Sequence, residues 1–193
     1  MRRIASARWH SHVDAVHANP MMRDWLNDRI SLTAKLMRAS THFRVRRLMQ
    51  RQSMPLMDEV AAIGLRKRTQ VREREVLLEC DGVPVVYAHT VVPLDATASD
   101  WPFFGTLGER SLGTTLFGDP KVMRGALQFA RLHASHPLAV RVARALGVRE
   151  VETMLHARRC LFRRRRGLLL VTEIFLPAIA HIGHGVAKAE RTE

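Results

Sequence analysis

Residues 71–92, VREREVLLECDGVPVVYAHTVV, decide the fold class of this chain. The composition of Val71 to Cys80 predicts a strand, and Val83 to Val92 predicts a returning strand. The dipeptide Asp81-Gly82 between them is the one that a two-residue hairpin turn prefers. An antiparallel hairpin is therefore expected here.

A second hairpin is predicted closer to the end of the chain, with Val151 to Arg163 as one strand, Arg164 to Gly167 as the turn and Leu168 to Leu176 as the other strand. Strands are also expected at Thr41 to Arg51 and Lys121 to Leu132. Helices are expected from Pro20, after the cap residue Ser31, as a turn over Met57 to Ile63, near Phe117, and over Leu138 to Leu146. Strands joined by tight turns, with the helices in separate segments, predict an α+β fold with a single antiparallel sheet.

The length and composition fit one domain. A chain of 193 residues, 47% of them hydrophobic, is expected to form a single domain over 1–193, with its core at about 20–180 and a polar tail at 181–193. Cys80 and Cys160 are too far apart for a CxxC motif and suit a reduced cytosol. Because no export signal and no apolar stretch long enough for a transmembrane segment is visible, a cytoplasmic protein is expected.

The net charge of +13 favours anionic partners. Basic residues gather in the stretches Arg38 to Arg51, Arg66 to Arg74 and Arg158 to Arg166. Such stretches can form a patch for nucleic acid or acidic lipid, or a solvated basic face that attracts small anions. Aromatic residues, which usually accompany single-strand binding, make up only 6% of the chain, so the solvated face is favoured and nucleic acid is not an expected partner.

Glu173 interrupts the apolar run Leu168 to Leu176, whose two faces are both apolar. Such a strand is expected to be covered on both sides. A buried carboxylate pairs with a cation or takes up a proton, because an unpaired buried charge costs several kcal/mol. The residue is therefore a candidate for a site, although a buried salt bridge without further function explains it equally well.

Arg74 is the candidate partner for this carboxylate. Strand alternation places it on the same side of its strand as Val76 and Leu78, so its side chain is expected to point inward. A guanidinium group in a closed site is well suited to hold a carboxylate. The alternative is a surface arginine at the end of an apolar face.

Other catalytic signatures do not occur in the sequence. The ten histidines show no HExxH or comparable metal spacing, and there is no phosphate-binding glycine loop, dinucleotide fingerprint or GxSxG motif. Neither a metal nor a cofactor is expected. From the residues alone, the chain is an α+β domain whose interior arginine and glutamate could bind a small anion.

The same residues carry a resemblance to the chorismate pyruvate-lyases that open ubiquinone biosynthesis. The similar pieces keep their order and spacing between Asp24 and Ala178: DWL at 24–26 with SLT at 31–33, REVLL at 74–78 with DG at 81–82, TVVP at 90–93, LG at 112–113 with LF at 116–117, and LLLVTEIFLP at 168–177. The resemblance implies an antiparallel sheet with helices that cover an internal ligand cavity.

It also implies an activity and its residues. The expected reaction eliminates pyruvate from chorismate to give 4-hydroxybenzoate without a cofactor. The protein is expected to be a monomer. By the resemblance, Arg74 binds the ring carboxylate, Glu173 meets the ring hydroxyl, and the backbone amides of Leu32 and Leu112 complete the carboxylate site. Arg74 and Glu173 are the expected catalytic pair.

Three differences from the family limit the transfer. The segment His133 to Val148 is longer, the tail after Ala180 is extended, and His89 stands where the family often has an arginine. The last is expected to alter how the second carboxylate of the substrate is held. Two other functions remain open: a non-catalytic sensor of small aromatic acids, since a similar fold binds effectors in GntR-type regulators, and a basic nucleic-acid-binding protein.

Overall fold

The structure is a computed structural model, and it describes residues 6–151 and 154–182. The greater part of the predicted polar tail, 183–193, therefore lies outside the described residues, as do 152 and 153 of the predicted strand that begins at Val151. Within the described ranges, no helix is both long enough and apolar enough to cross a membrane.

Six strands form a single sheet: β1 (Phe43–Ser53), β2 (Val71–Cys80), β3 (Val83–Pro93), β4 (Val122–Leu132), β5 (Leu155–Arg164) and β6 (Gly167–Phe175). Their order across the sheet is β1-β2-β3-β6-β5-β4, and every neighbouring pair is antiparallel. The predicted α+β class with one antiparallel sheet is confirmed.

Both predicted hairpins form. Asp81 (φ 51°) and Gly82 (φ 81°) join β2 to β3 with the two positive φ angles of a tight primed turn. The second turn is shorter than predicted, because Arg164 still pairs with Gly167 and only Arg165 and Arg166 form the turn.

The described residues form six α-helices, two before β1 and four between strands: α1 (Pro20–Asn27), α2 (Leu32–Arg38), α3 (Met57–Val60), α4 (Leu94–Ser99), α5 (Leu112–Gly118) and α6 (Pro137–Leu146). Asn19, Ser31 and Ser111 cap α1, α2 and α5 by accepting hydrogen bonds from backbone N–H groups of the first turn. The sequence did not predict α4, a short helix of mostly small and polar residues that is held in place by burial of Ala96.

The two faces of the sheet are both covered. On one face, α1, α2 and α5 contribute to the cores that pack against the sheet, and on the other α6 packs Leu138 and Val142 against Leu77, Tyr87 and Ile174. Strand β6 is central, and most of its apolar residues are buried, on both sides of the strand, as predicted. The cavity described next lies on the first face.

Candidate functional site

A cavity lies between the sheet and helices α2 and α5. Strands β1 to β6 supply its floor, and its walls are mostly apolar, with four charged side chains among them. The lining residues are Ile30, Leu32, Thr33, Val45, Arg74, Val76, Leu78, Ala88, Thr90, Ser111, Leu112, Gly113, Leu116, Phe117, Arg124, Arg158, Cys160, Phe162, Val171 and Glu173. An apolar hollow with a few convergent polar groups is the usual form of a small-molecule site.

Arg74 projects from β2 into this cavity and is only 2% exposed, so the predicted inward orientation is confirmed. One terminal nitrogen donates hydrogen bonds to the carbonyls of Gly108 and Arg110, both at 3.0 Å. Its buried Nε has no hydrogen-bond partner. Burial, together with the charge of Arg47, lowers the pKa of Arg74 to about 10. The site thus holds a desolvated cation that pairs with no carboxylate of the described chain.

Glu173 lines the same cavity from β6, with 20% of its side chain exposed. The prediction that Arg74 is its partner is wrong: Glu173 Oε2 accepts a hydrogen bond from Nε of Arg158 at 2.5 Å. Arg158 lies directly opposite on the adjacent strand β5, whereas β2 is two strands away. Directly opposed cross-strand residues are the ones close enough to pair.

Arg158 is a site residue that the sequence reasoning missed. It is 1% exposed, and its Nη1 also donates to the carbonyls at the end of helix α1, those of Trp25, Leu26 and Asp28. The basic stretch Arg158 to Arg166 was interpreted as a solvated face. Arg158 lies on the same side of its strand as the apolar Cys160 and Phe162, and this position is the signal that could have identified it.

Leu32 and Leu112 both line the cavity as the first residues of α2 and α5. The amide of a first helical residue has no acceptor within its own helix and is free for a ligand. The two helix starts are also joined, since the hydroxyls of Thr33 and Ser111 are 2.6 Å apart in a hydrogen bond. A Cβ on Gly113 would lie 2.9 Å from Thr33 Oγ1, so this close approach requires glycine.

Arg124, from β4, is a third arginine of the cavity and was not singled out in the sequence. Its guanidinium lies 5.2 Å from the ring centre of Phe117 and donates to the carbonyl of Arg29. Its Nε is buried without a hydrogen-bond partner. Like Arg74, it forms no ion pair with a carboxylate of the residues that the structure describes.

His89 does not face the cavity, and the expectation that it alters how a second carboxylate is held is wrong. The neighbouring Ala88 and Thr90 line the cavity, so alternation directs His89 to the opposite face. There it is 1% exposed, 3.0 Å from Glu59 and 3.5 Å from Glu75. Burial alone would lower the pKa of His89, but the carboxylates of Glu59, Glu75 and Glu73 together outweigh it and raise the pKa to about 9.

Glu73, Glu75 and His89 offer ligand atoms within 4.8 Å of one another, a spacing that could hold a metal ion. The guanidinium of Arg141, from helix α6, already forms ion pairs with both glutamates at this point. A cation of the protein therefore occupies the position that a metal would take, and the cluster is an internal network of ion pairs.

This fold and cavity define a class: an α+β domain with a cavity suited to a small anionic ligand, between one face of its sheet and two helix starts. Residues 4–182 match the family model described as chorismate lyase. The chain belongs to the chorismate lyase family, as the sequence resemblance indicated, and is a carbon–oxygen lyase.

The names of curated relatives agree with this assignment. The chain is 49% identical over 172 residues to a protein of Cupriavidus metallidurans (89% of this chain, 80% of that protein) and 51% identical over 152 residues to one of Ralstonia nicotianae (78% of each), both named probable chorismate pyruvate-lyase. A GntR-family transcriptional regulator from Bacillus cereus is similar in structure, with a TM-score of 0.52 over 71% of this chain and 93% of that one. At 10% identity, this likeness shows the fold alone.

Proposed function

We propose that this protein eliminates pyruvate from chorismate to give 4-hydroxybenzoate, in the cytoplasm and as the opening step of ubiquinone biosynthesis. The observation that carries the proposal is that one cavity contains both a buried arginine without an anion, Arg74, and a glutamate held by a second arginine, Glu173. A single chain supplies the whole lining, so a monomer suffices.

Arg74 binds the ring carboxylate. Its buried Nε lacks a partner, so an incoming carboxylate restores the hydrogen bond and the charge balance together. The amides of Leu32 and Leu112 complete this subsite, because each is the first residue of a helix and both line the cavity.

Glu173 acts at the other end of the ring, next to the hydroxyl. In the reaction the ring carbon that bears this hydroxyl loses its proton, and the adjacent carbon–oxygen bond breaks. The ring becomes aromatic, and enolpyruvate leaves and gains a proton to become pyruvate. Glu173 orients the hydroxyl or accepts the proton, help that contributes about 10²- to 10⁴-fold to such rates.

The basic stretches give little support to the rival nucleic-acid function. Arg74, Arg158 and Arg159 are each less than 9% exposed, so part of the positive charge in two of the three stretches is inside the protein. Charge that is buried cannot neutralise the phosphates of a nucleic acid.

The test is to incubate the purified protein with chorismate, with no metal added, and to measure 4-hydroxybenzoate and pyruvate. Equal amounts of both are expected. Arg74→Gln should weaken binding of 4-hydroxybenzoate, and Glu173→Gln should lower kcat. Arg163→Gln, an exposed arginine of β5, is the matched control and should behave like the wild type.

Wild-type kinetics in both Arg74→Gln and Glu173→Gln would show that the site is assigned wrongly. Tight binding of 4-hydroxybenzoate with no turnover of chorismate would favour the aromatic-acid sensor instead. Binding to an oligonucleotide that weakens steeply with salt, with no turnover, would favour the nucleic-acid function.

A further inference from the structure

The charges that line the cavity match a ligand with two negative charges. Three arginines and one glutamate lie in the lining, and Arg158 and Glu173 form an ion pair. Arg74 and Arg124 are left without a carboxylate among the described residues. Chorismate has one carboxylate on its ring and a second on its enolpyruvyl group, whereas 4-hydroxybenzoate has only the first.

We propose that Arg124 binds the carboxylate of the enolpyruvyl group, an inference that rests on the proposed lyase function. Its buried Nε has no hydrogen-bond partner, which is the same condition that marks Arg74 as an anion site. A guanidinium group binds a planar carboxylate through two parallel hydrogen bonds. Arg124 keeps donors for this purpose, since its one described hydrogen bond is from Nη1 to Arg29.

The strand register gives Arg124 a position that suits this group. Arg74 lies in one row of the sheet with Thr90 and Val171, two residues before Glu173 along β6. Arg124 pairs with Phe162, which pairs with Leu169 of β6. The row of Arg124 is therefore two residues from the row of Arg74, on the side away from Glu173.

Across the sheet, Arg74, Glu173 and Arg124 lie on the second, fourth and sixth strands. Arg124 is thus beyond Glu173 and to one side of the line from Arg74 to Glu173. In chorismate the hydroxyl is opposite the ring carboxylate, and the enolpyruvyl ether is next to the hydroxyl. The three residues therefore do not lie on one line across the sheet, and neither do the three substituents of chorismate.

An irregularity in β4 contributes to this placement. The pairing of β4 with β5 shifts register between Arg124 and Leu127. Gly125, inside the shift, approaches β5 so closely that a Cβ there would lie 2.9 Å from the carbonyl oxygen of Leu161. Bulges of this kind re-aim side chains beside active sites.

Arg158 is less suited to the second carboxylate, because its charge is already paired with Glu173 and its Nη1 donates to three backbone carbonyls. The competing explanation for Arg124 is structural: it holds the connection between α1 and α2 through the carbonyl of Arg29. A structural role affects every ligand of the cavity, whereas the proposed role affects only ligands that carry the second carboxylate.

The experiment compares the wild type with Arg124→Gln, Arg124→Lys, Arg74→Gln and the control Arg163→Gln. It measures KM and kcat for chorismate, and Kd for 4-hydroxybenzoate by titration calorimetry. Arg124→Gln should raise KM by about 10- to 100-fold, the range expected for losing a charged hydrogen-bonded pair. Its Kd for 4-hydroxybenzoate should stay within about threefold of the wild type.

The other variants bracket this result. Arg74→Gln should weaken the binding of both ligands, and Arg163→Gln should weaken the binding of neither. Arg124→Lys keeps the charge but not the planar fork of donors, so its KM should lie between those of the wild type and Arg124→Gln. If Arg124→Gln does not fold, a selective rise in KM for Arg124→Lys supports the proposal. If the Arg124 variants lose affinity equally for both ligands, or for neither, the proposal for Arg124 is overturned. Turnover of chorismate by the wild type would still support the lyase function in that case.

Failure of the lyase function looks different. A wild-type protein that binds 4-hydroxybenzoate but does not turn over chorismate refutes that function. The dissociation constant of chorismate then replaces KM, and equal values for Arg124→Gln and the wild type would refute the inference as well.

Discussion

Arg158 joins the glutamate of the cavity to the end of helix α1. Its Nε donates to Glu173 at 2.5 Å, and its Nη1 donates to the carbonyls of Trp25, Leu26 and Asp28. The same guanidinium group therefore orients the carboxylate and holds the connection from α1 to α2 over the site. Stability and activity should both depend on it.

Arg158→Gln should lower the free energy of unfolding by about 2–4 kcal/mol and lower kcat by at least about tenfold. The substitution leaves Glu173 without its cation and several carbonyls without a donor. Urea unfolding and steady-state kinetics test this, with Arg163→Gln on the same strand as the control. A variant with wild-type stability would contradict the role given to this pair.

The hydrogen bond between Thr33 and Ser111 joins the starts of α2 and α5 beside the cavity. Thr33→Val keeps the shape of the side chain and removes the bond. Since a neutral hydrogen bond contributes about 0.5–1.5 kcal/mol, 4-hydroxybenzoate should dissociate about 2- to 10-fold faster. Stopped-flow displacement measures the rate, and Thr114→Val, on the exposed side of α5, is the control. Equal dissociation rates in the two variants would show that this bond does not restrain the ligand.

Much of the sheet could be predicted because its signals are local. Residues 71–92 contain two strands and the Asp81-Gly82 turn, and the structure has the same hairpin. Helix α6 ends at Leu146, as predicted, because the next residue, Gly147, adopts a left-handed conformation (φ 71°) that favours glycine. Helix α4 could not be found this way, because it is only six residues long and helices this short depend on tertiary packing.

The site was predicted only in part, for a related reason. Alternation along β2 correctly directs Arg74 inward, and the apolar run correctly marks Glu173 as unusual. Which arginine pairs with Glu173 depends on the strand order β2-β3-β6-β5, a long-range property that no local pattern encodes. The charged cluster around His89 was missed because its members come from α3, β2, β3 and α6, which meet only in the folded chain.

The cluster around His89 predicts a loss of stability at alkaline pH. His89 faces Glu59, Glu73 and Glu75, with Arg141 beside the last two, and its pKa of about 9 lies above the ordinary value of 6.5. A raised pKa means that the folded protein binds the proton more tightly than the unfolded chain does. The stability that this provides is complete below about pH 6.5 and disappears as the pH rises through 9.

Urea unfolding between pH 6 and pH 10 tests this prediction. The free energy of unfolding of the wild type should fall by about 3 kcal/mol more than that of His89→Gln across this range, since raising the pKa of one group from 6.5 to about 9 contributes on that order. Comparison with His89→Gln removes the contribution of other groups that titrate at alkaline pH. Parallel curves for the two proteins would show that the proton on His89 does not stabilise the fold.

Arg141 supplies a permanent positive charge to the same cluster. Burial alone would raise the pKa of Glu75, but the adjacent imidazole of His89 and hydroxyl of Tyr87, with the charges of His89 and Arg141, together lower it to about 2. Arg141→Met removes a cation from two glutamates that are 1% and 6% exposed. Breaking a buried ion pair from one side costs about 3–5 kcal/mol, so the variant should be less stable by about that amount at pH 8.

The loss should shrink as the pH falls. Without Arg141 the pKa of Glu75 is lowered less, so its carboxyl group gains a proton more readily, and a protonated carboxyl no longer carries an unpaired charge. The difference between Arg141→Met and the wild type should therefore be smaller at pH 5 than at pH 8, and the double variant Arg141→Met, Glu73→Gln should recover part of it. Turnover by the folded variant should stay close to the wild type, because the cluster lies on the face of the sheet opposite the cavity. A loss of stability that is the same at both pH values would mean that Arg141 acts through packing and not through its charge.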